Sequence, residues 1–258
     1  MKPEHYTVID IETMPNIDLI SRLPGIVKPE YPVREFHSTG GSLKDPVKIM
    51  EKRQTYDRKF AAACNKIDVD YNAAKTKQIE KMSLDPLYGR ICCIGVKRGD
   101  EEKVFIDDVN NDFIERNLIQ NACDYIFTYS SIEPVKLATW NGKNFDIPFI
   151  YKRAMILGVS IDKHFQIWCW MHNHNDDHRD LMQVWTGYNV NQYQGRKGLG
   201  IVSDILLGEK KVDFDVTKIS EMIKTPEGRA EVSKYCLQDV RLTYRLLEKF
   251  KDYLCGDA

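Results

Sequence analysis

The feature that most constrains the fold is a short β-branched run near the start of the chain, Tyr6–Ile11 (YTVIDI). Valine, isoleucine and aromatic side chains favour extended backbone, so this run predicts a buried strand. Alternate side chains of a strand face opposite sides of its sheet. Asp10 and Glu12 therefore share one face, and Ile9 and Ile11 anchor the other face in the core. Two neighbouring acids on a strand are tolerated most easily beside solvent or a cation.

Alternating strand and helix patterns fill most of the remaining chain. Strands are predicted at 90–97, 103–106 and 136–140, with one more around FQIWCW within 164–185. Helices are predicted at 111–129, 146–158 and 229–253. This alternation favours an α/β domain of three layers, in which helices flank a mixed sheet of mainly five strands.

Residues 43–84 differ from the rest because they are charged, rich in alanine and lysine, and free of glycine. Their periodic apolar positions predict a helical insertion, with a hairpin of helices as one form. Asp45-Pro46 suits the N-cap and first turn. A lid, a docking surface for a protein partner and a plain family insertion all stay open as its role. We therefore predict a single domain over residues 1–258 that carries this insertion.

Composition limits the class of protein. Hydrophobic residues make up 43% of the chain and charged residues 29%, which indicates a sizeable core and a well-solvated surface. No apolar run is long enough to cross a bilayer. The formal net charge of −1 argues against tight, sequence-independent coating of duplex DNA. It is compatible with a nuclease, because clustered catalytic acids cancel basic residues elsewhere.

The cysteine pattern predicts the compartment. Seven cysteines are scattered without a CxxC pair, so a structural zinc site is not expected. The odd count, and the apolar neighbours of Cys92, Cys93 and Cys236, indicate reduced, buried thiols of an intracellular protein. The start of the chain resembles a strand and has no signal-peptide pattern. We therefore expect a cytoplasmic protein, or one of the host cytoplasm if the source is viral.

Other acidic residues occupy positions from which they could lie close to Asp10 and Glu12 in the fold. Asp146 opens a predicted helix directly after a strand and a glycine-containing turn. Tyr235 and Asp239 are four residues apart in the last helix and share one face. Hard divalent cations prefer several oxygen ligands, and two ions about 4 Å apart can clamp a phosphodiester. Each acidic pair alone is weak evidence, because such pairs are commonly solvated surface residues.

Three motifs, in order, resemble those of the DEDD superfamily of 3′–5′ exonucleases. Asp10-Ile11-Glu12-Thr13 resembles the first motif. Residues 141–148 (NGKNFDIP) resemble the second, as found in the proofreading domains of B-family DNA polymerases, and this is the most specific match. Residues 235–239 (YCLQD) resemble the third in its tyrosine form, the DEDDy branch. The resemblance implies a ribonuclease H-like fold in a stand-alone exonuclease, without polymerase palm or fingers.

The resemblance also implies a role for each matching position. The residues that would hold two divalent cations, Mg²⁺ or Mn²⁺, are Asp10, Glu12, Asp146 and Asp239. Tyr235 would orient the attacking water rather than take its proton, because the pKa of a free tyrosine is near 10. The residues that would contact the terminal nucleotides or line the pocket for the 3′ base are Thr13, Met14, Asn141 and Phe145. For Phe145, packing in the core is the alternative.

The implied reaction is hydrolysis of nucleotides from the 3′ end of single-stranded nucleic acid, with release of nucleoside monophosphates. Single-stranded DNA is the first expected substrate, because the motifs resemble those of DNA polymerases. RNA is the close competitor, since nothing in the sequence clearly recognises a 2′-hydroxyl. The alternative from another class is a catalytically silent module that binds nucleic acid or protein on the same fold.

Three groups of residues outside the motifs have both an ordinary and a functional interpretation. The histidines match no metal motif. A solvated or partly buried loop is predicted, with contact to a metal or to substrate as the alternative, for His164, His172, His174 and His178. Core positions are predicted, with stacking on unpaired bases as the alternative, for Trp168, Trp170 and Trp185. Basic pairs occur at Lys152-Arg153, Arg196-Lys197 and Lys210-Lys211. The loop at 192–197 (QYQGRK) is the favoured grip on the strand backbone, with a plain surface loop as the alternative.

Overall fold

The computed structural model describes residues 2–35, 45–128, 135–170, 177–187 and 197–254. The chain divides into two compact units. The sheet unit comprises residues 1–16 and 82–258, and the helical unit comprises Ile17–Lys81. The organisation as a single domain stays a prediction. None of the described helices combines the length and apolar character that crossing a bilayer requires.

The strands are β1 (Tyr6–Pro15), β2 (Gly89–Arg98), β3 (Glu101–Ile106), β4 (Lys136–Thr139) and β5 (His178–Asp180). The helices are α1 (Pro46–Met82), α2 (Asp112–Ile126), α3 (Asp146–Leu157), α4 (Lys163–Trp170), α5 (Leu181–Trp185), α6 (Leu199–Leu207), α7 (Ile219–Met222) and α8 (Pro226–Phe250). Short 3₁₀ turns occur at Pro3–His5, Ile17–Arg22, Val216–Lys218 and Lys251–Tyr253.

The strands form one mixed sheet in the order β3-β2-β1-β4-β5. β1 pairs antiparallel with β2, and β2 pairs antiparallel with β3. β1 and β4 pair in parallel, as do β4 and β5. The predicted mixed, five-stranded α/β sheet is therefore confirmed. The first strand of the sequence lies at its centre.

Alternation along β1 sends its side chains into two different hydrophobic clusters. Ile9 and Ile11 pack with residues of α2 and α3. Val8 packs in the cluster that contains the C-terminal half of α8. Asp10 and Glu12 continue the alternation of Val8, so they lie on the side of the strand that faces α8.

A glycine lets α8 approach the sheet closely beside Asp10. Gly95 of β2 is the partner of Asp10 in the antiparallel register. A Cβ atom at Gly95 would lie 2.9 Å from both Cys236 Sγ and Val240 Cγ2. The helix approaches the strand pair closely at this point because Gly95 has no side chain to separate them.

The helical unit differs from one predicted form. Helix α1 is continuous over 37 residues, so a hairpin of helices was wrong. No glycine or proline follows Pro46 until Pro86, and nothing in the sequence forces a turn there. The Asp45 carboxylate accepts the N–H of Val47 at 2.9 Å, which confirms the predicted start of the helix.

The prediction of a strand at FQIWCW was also wrong, because this run is helical in α4. Phe165 and Trp168 are three residues apart and both fully buried, so they share one helix face. The fifth strand is His178–Asp180 instead. Its polar sequence gives no strand signal, whereas a short apolar run fits helical and extended periodicities equally.

Three predictions for side chains outside the motifs were wrong. His164 is partly buried but lies in helix α4 rather than in a loop. His178 is fully buried in β5, with a ring nitrogen 2.9 Å from Thr139 Oγ1, rather than in a solvated or partly buried loop. Trp185 is 43% exposed and stacks on Phe250, rather than lying in the core. Trp168 is buried as predicted. Outside the described residues lie His172, His174 and the side chain of Trp170.

Six cysteines lie in the described part of the chain, and all are free thiols. Cys92, Cys93 and Cys236 are buried, as their apolar neighbours predicted. A hydrogen bond with Cys93, together with burial, raises the pKa of Cys236 well above its usual range. This thiol therefore stays protonated and unreactive at neutral pH.

Candidate active site

The Asp146 side chain contacts β1 just beyond the segment in which β1 pairs with β4. The two strands pair from Tyr6 to Val8 of β1. Beyond that point, the backbone N–H of Ile11 donates to Asp146 Oδ1 at 3.1 Å. A buried N–H needs an acceptor. Where β1 pairs with β4, backbone carbonyls of β4 accept such N–H groups, and at Ile11 the Asp146 carboxylate takes their place. Asp146 is thereby fixed beside Asp10.

A buried carboxylate of β5, Asp180, shapes the turn that leads to Asp146. It accepts the backbone N–H of Asn141 at 2.9 Å and that of Lys143 at 3.1 Å. It also accepts the N–H of Met182 at 3.0 Å, where α5 begins. Burial raises the pKa of Asp180, and the N–H donors oppose that rise. The role of Asp180 depends on contacts between distant segments, so no local sequence signal identifies it.

The Asn141-Gly142 pair meets strict backbone requirements in this turn. Asn141 has a left-handed backbone with φ 66°, which asparagine tolerates better than most residues. A Cβ atom at Gly142 would lie 2.5 Å from the side chain of Thr139. The carbonyls of Asn141 and Gly142 then accept the first N–H groups leading into α3. The second motif is thus explained in part by the turn that aims Asp146.

Helix α8 holds a neighbouring segment against the site through Gln238. Gln238 Oε1 accepts the N–H of Val212 at 3.0 Å, and its Nε2 donates to the carbonyl of Lys210 at 3.2 Å. Lys211 lies between these two contacts. The side chain of Lys211 is therefore directed to the acids, although in the sequence it stands out only as half of a basic pair.

Lys211 and Phe214 surround the tyrosine of the third motif. The Lys211 ammonium forms an ion pair with Asp239 and lies 4.4 Å from the centroid of the Tyr235 ring. The Phe214 ring stacks on the Tyr235 ring, with 4.2 Å between the two centroids. Burial raises the pKa of Tyr235 to about 12, although the Lys211 ammonium opposes this. The phenol is therefore a hydrogen-bond donor at neutral pH.

The four acids are close enough to repel one another. Oxygens of Asp10 and Glu12 and the sulfur of Cys236 lie within 4.8 Å of one another. Burial, followed by repulsion from Asp239, raises the pKa of Glu12 to about 8. Burial also raises the pKa of Asp146 to about 7, and the pKa of Asp10 rises well above its usual range. Lys211 only partly compensates this negative charge.

This set of donors fits hard divalent cations. Carboxylate oxygens are the ligands that Mg²⁺ and Mn²⁺ prefer. Asp239 Oδ1 is buried and has no hydrogen-bond partner within the described ranges, and buried oxygens without partners are costly. A cation would satisfy that oxygen and relieve the repulsion that raises the pKa of Glu12. The Cys236 sulfur lies beside the Asp10 and Glu12 oxygens, but thiolate is a softer ligand than Mg²⁺ and Mn²⁺ prefer.

A cleft of about 410 Å³ opens over two of the acids, Asp10 and Asp239. Its lining comprises Asp10, Trp140, Asn141, Met182, Lys197, Gly198, Leu199, Lys211 and Asp239. Lys197 belongs to the loop at 192–197 that the sequence analysis favoured as a grip on the strand. The other residues of that loop lie outside the described residues.

The predicted substrate contacts differ in their surroundings. Asn141 lines the cleft. Phe145 is partly buried and packs against the core, which agrees with its alternative interpretation. The Thr13 hydroxyl donates to the carbonyl of Ser83 at 2.6 Å. Met14 is buried in the core. Substrate binding by these four motif residues stays a prediction.

The basic pair Lys152-Arg153 is not part of the described lining of the cleft. Arg153 is buried and donates through Nε to Glu115 Oε1 at 2.8 Å. Glu115 also accepts the N–H of Ile91 at 2.9 Å. A buried pair of this kind joins α2, α3 and β2, so Arg153 is structural.

A protein family matches this chain within the sheet unit. Residues 84–254 match a family described as "Predicted 3'-5' exonuclease related to the exonuclease domain of PolB". The matched range contains Asp146, Tyr235 and Asp239, whereas Asp10 and Glu12 precede it.

Curated relatives are much longer than this chain. A DNA polymerase of Thermococcus aggregans is 29% identical over 57% of the chain, which spans 8% of that protein. The catalytic polypeptide of DNA polymerase epsilon from Aspergillus fumigatus is 29% identical over 54% of the chain and 6% of its own length.

A solved structure resembles the fold. The family B DNA polymerase of Pyrobaculum calidifontis aligns with a TM-score of 0.52 and 24% identity, covering 66% of this chain and 22% of that one. This likeness confirms the predicted ribonuclease H-like fold class. With more than half of its residues inside the family match, the chain belongs to this family of predicted 3′–5′ exonucleases related to the exonuclease domain of PolB.

Proposed function

We propose that this chain is an active, metal-dependent exonuclease that removes nucleotides from the 3′ end of single-stranded DNA. The observation that supports it most is the convergence of all three motifs on one cleft. Asp10, Asp146 and Asp239 come from β1, α3 and α8. Asp146 accepts a hydrogen bond from the backbone of β1, and Asp239 forms an ion pair with Lys211. A chain that had lost its activity would have no need to keep mutually repelling acids together.

The residues proposed to hold two divalent cations, Mg²⁺ or Mn²⁺, are Asp10, Glu12, Asp146 and Asp239. When bound, such cations would lower the pKa of the attacking water and stabilise negative charge on the phosphodiester. The acids themselves would bind the cations once deprotonated. Their raised pKa values mean that protons compete with metal below about pH 8.

Tyr235 is proposed to orient the attacking water. With its pKa raised to about 12, the phenol keeps its proton at neutral pH and can donate a hydrogen bond. Phe214, stacked on its ring, and Lys211, above it, limit the orientations open to that hydroxyl. Both neighbours therefore support positioning rather than proton abstraction.

Two lysine side chains of the cleft could contact the phosphodiester backbone. Lys211 and Lys197 line the cleft on the same opening as Asn141. An ammonium attracts phosphate oxygen without reading the base, so a site of this kind would degrade DNA of any sequence. The proposal of DNA over RNA rests on the relatives, which are DNA polymerases. A cytoplasmic location remains our expectation.

The test is incubation of the full chain with single-stranded DNA and RNA of the same sequence, labelled at either end, in Mg²⁺ or Mn²⁺. A 3′ label should appear at once as a mononucleotide, and a 5′ label should move down a ladder one nucleotide at a time. DNA should be degraded faster than RNA. No digestion of any substrate with either metal would reject the enzyme and favour the silent binding module.

The matched variants replace carboxylates by amides of the same shape. Asp10→Asn with Asp146→Asn should abolish digestion while the far-ultraviolet circular dichroism stays unchanged. Asp252→Asn, an exposed acid of the last 3₁₀ turn, should leave activity unchanged. Full activity of the double variant would show that the site is wrong even if the enzyme assignment is right.

A further inference from the structure

The helical unit carries a row of positive charge on one side of α1. Six lysines fall within about 60° of arc at 100° per residue, and extend over about 50 Å of helix. They are Lys48, Lys52, Lys59, Lys66, Lys77 and Lys81. All six are exposed, and none forms an ion pair with another described residue. We call this surface the lysine row.

The charge is concentrated in this helix rather than spread over the chain. α1 contains nine basic and five acidic side chains, whereas the rest of the sequence contains 28 basic and 33 acidic ones. The helix is therefore net positive in a chain whose formal charge is −1. Within the arc of the lysine row, Asp70 is the only acid.

Two acids of α1 are neutralised on a different side. Asp57 pairs with Arg34 at 2.9 Å, and Asp68 pairs with Lys28 at 2.5 Å. Both partners belong to the segment 17–35, which packs along this side of the helix within the same unit. Asp57 and Asp68 lie more than about 100° around the helix from the lysine row. They cannot compensate its charge, and the row stays open to solvent.

Two pairs within the row work against the stability of the helix. Lys48 and Lys52 are four residues apart, as are Lys77 and Lys81. Like charges at this spacing repel and weaken a helix. Alternating signs would stabilise an exposed helix of this length better. A polyanion bound along the row would relieve the repulsion.

We propose that the lysine row binds the phosphodiester backbone of the single-stranded DNA that the enzyme degrades. Lysine contacts phosphate as a point charge and does not read bases. The arc of the row contains no aromatic side chain for base stacking, so binding is independent of sequence and sensitive to salt. Because the row and the cleft belong to one chain, DNA held by the row has a raised local concentration for the cleft. This inference takes its substrate from the proposed function.

The test compares two triple variants with the same loss of charge in the same helix. Lys52→Gln, Lys59→Gln and Lys66→Gln remove the middle of the row. Arg53→Gln, Arg58→Gln and Lys75→Gln remove three positive charges that lie outside its arc. Glutamine keeps the helix propensity of both residue types, and circular dichroism with thermal unfolding checks that each variant folds.

Binding of a labelled DNA strand is measured by fluorescence anisotropy on the full chain in EDTA over a range of salt. The row variant should bind about tenfold or more weakly at low salt. Its slope of log affinity against log salt should be smaller by about 2, from three lost phosphate contacts at about 0.7 each. The control variant should change less than about twofold. Equal losses in both variants, or none in the row variant, would overturn the proposal.

Digestion separates this inference from the proposed function. On long DNA, the row variant should have a raised KM and an unchanged kcat, and on a trinucleotide it should match the wild type. If the wild type digests nothing but the row variant still loses DNA binding, the function fails and the row stands. If digestion occurs but both variants bind alike, the row alone fails. Stronger displacement of DNA from the row by RNA or polyglutamate would reject DNA as its ligand.

Discussion

Replacement of Asp180 by asparagine isolates the contribution of a residue that touches neither substrate nor metal in our proposal. The carboxylate accepts N–H groups of Asn141, Lys143 and Met182. An amide keeps the shape and one oxygen. If that oxygen keeps the bonds to Asn141 and Met182, the new NH₂ group faces the N–H of Lys143, donor against donor.

The magnitude follows from these contacts. A buried N–H without a partner costs about 1–3 kcal/mol, and hydrogen bonds to a neutral acceptor are weaker than those to a charged one by about 1 kcal/mol. Burial raises the pKa of Asp180, so the neutral amide recovers part of this loss. We expect a net loss of about 2–4 kcal/mol. For a protein of this size, that lowers Tm by about 5–15 °C.

Activity should fall further than stability at a temperature where the variant is folded. The turn 141–143 leads directly into Asp146, and a displacement of about 1 Å at a catalytic group can cost about 100-fold in rate. We expect a lower kcat with little change in KM, measured on a labelled oligonucleotide beside thermal unfolding by circular dichroism. Asp162→Asn is the control, since that more exposed carboxylate also accepts an N–H, from His164 at 2.9 Å. An Asp180→Asn protein with unchanged Tm and kcat would refute the reasoning.

Three more predictions concern the acids and their support. The raised pKa values of Glu12, to about 8, and of Asp146, to about 7, mean that the folded, metal-free protein holds more protons than the unfolded chain above about pH 5. Stability in EDTA should therefore fall as the pH rises from about 5 to 8, which urea titrations can measure. A flat or rising profile would contradict this. Glu12→Gln removes a buried carboxylate whose ionised form repels Asp239, and it should raise Tm of the metal-free protein at about pH 9. A lower Tm would show that burial and repulsion of this charge are not the dominant effect. Gly95→Ala forces a Cβ against Cys236 and Val240 and should cost about 1–3 kcal/mol with a loss of kcat, whereas Gly25→Ala, with open space around it, should do neither.

The sequence predicted the elements whose signals are local. The strand at Tyr6, the strand pair β2–β3 and helix α8 have periodic apolar residues and clear turn residues. The helix at Lys163 was mistaken for a strand because a short, mostly apolar run cannot distinguish the two periods. β5 was missed because its three polar residues are stabilised by neighbours such as Thr139, not by their own propensity.

The candidate site shows the same division. The acids could be predicted, because their motifs lie at the ends of recognisable elements. Asp180 and Lys211 could not, since each gains its role from a partner far along the chain. Lys211 is separated by 28 residues from Asp239, and Asp180 is separated by 39 from Asn141. Only the folded chain brings these pairs together.

The bond from Ile11 to Asp146 has a consequence for how this site responds to mutation. Its donor is a main-chain N–H, so replacement of the isoleucine side chain leaves the donor in place. A scan by alanine substitution would register Ile11 only as a core residue and overlook its part in aiming Asp146. Proline, or an ester in place of that one amide, removes the hydrogen itself. In genetic terms, half of this interaction is encoded by no particular side chain, and sequence variation at position 11 carries little information about it.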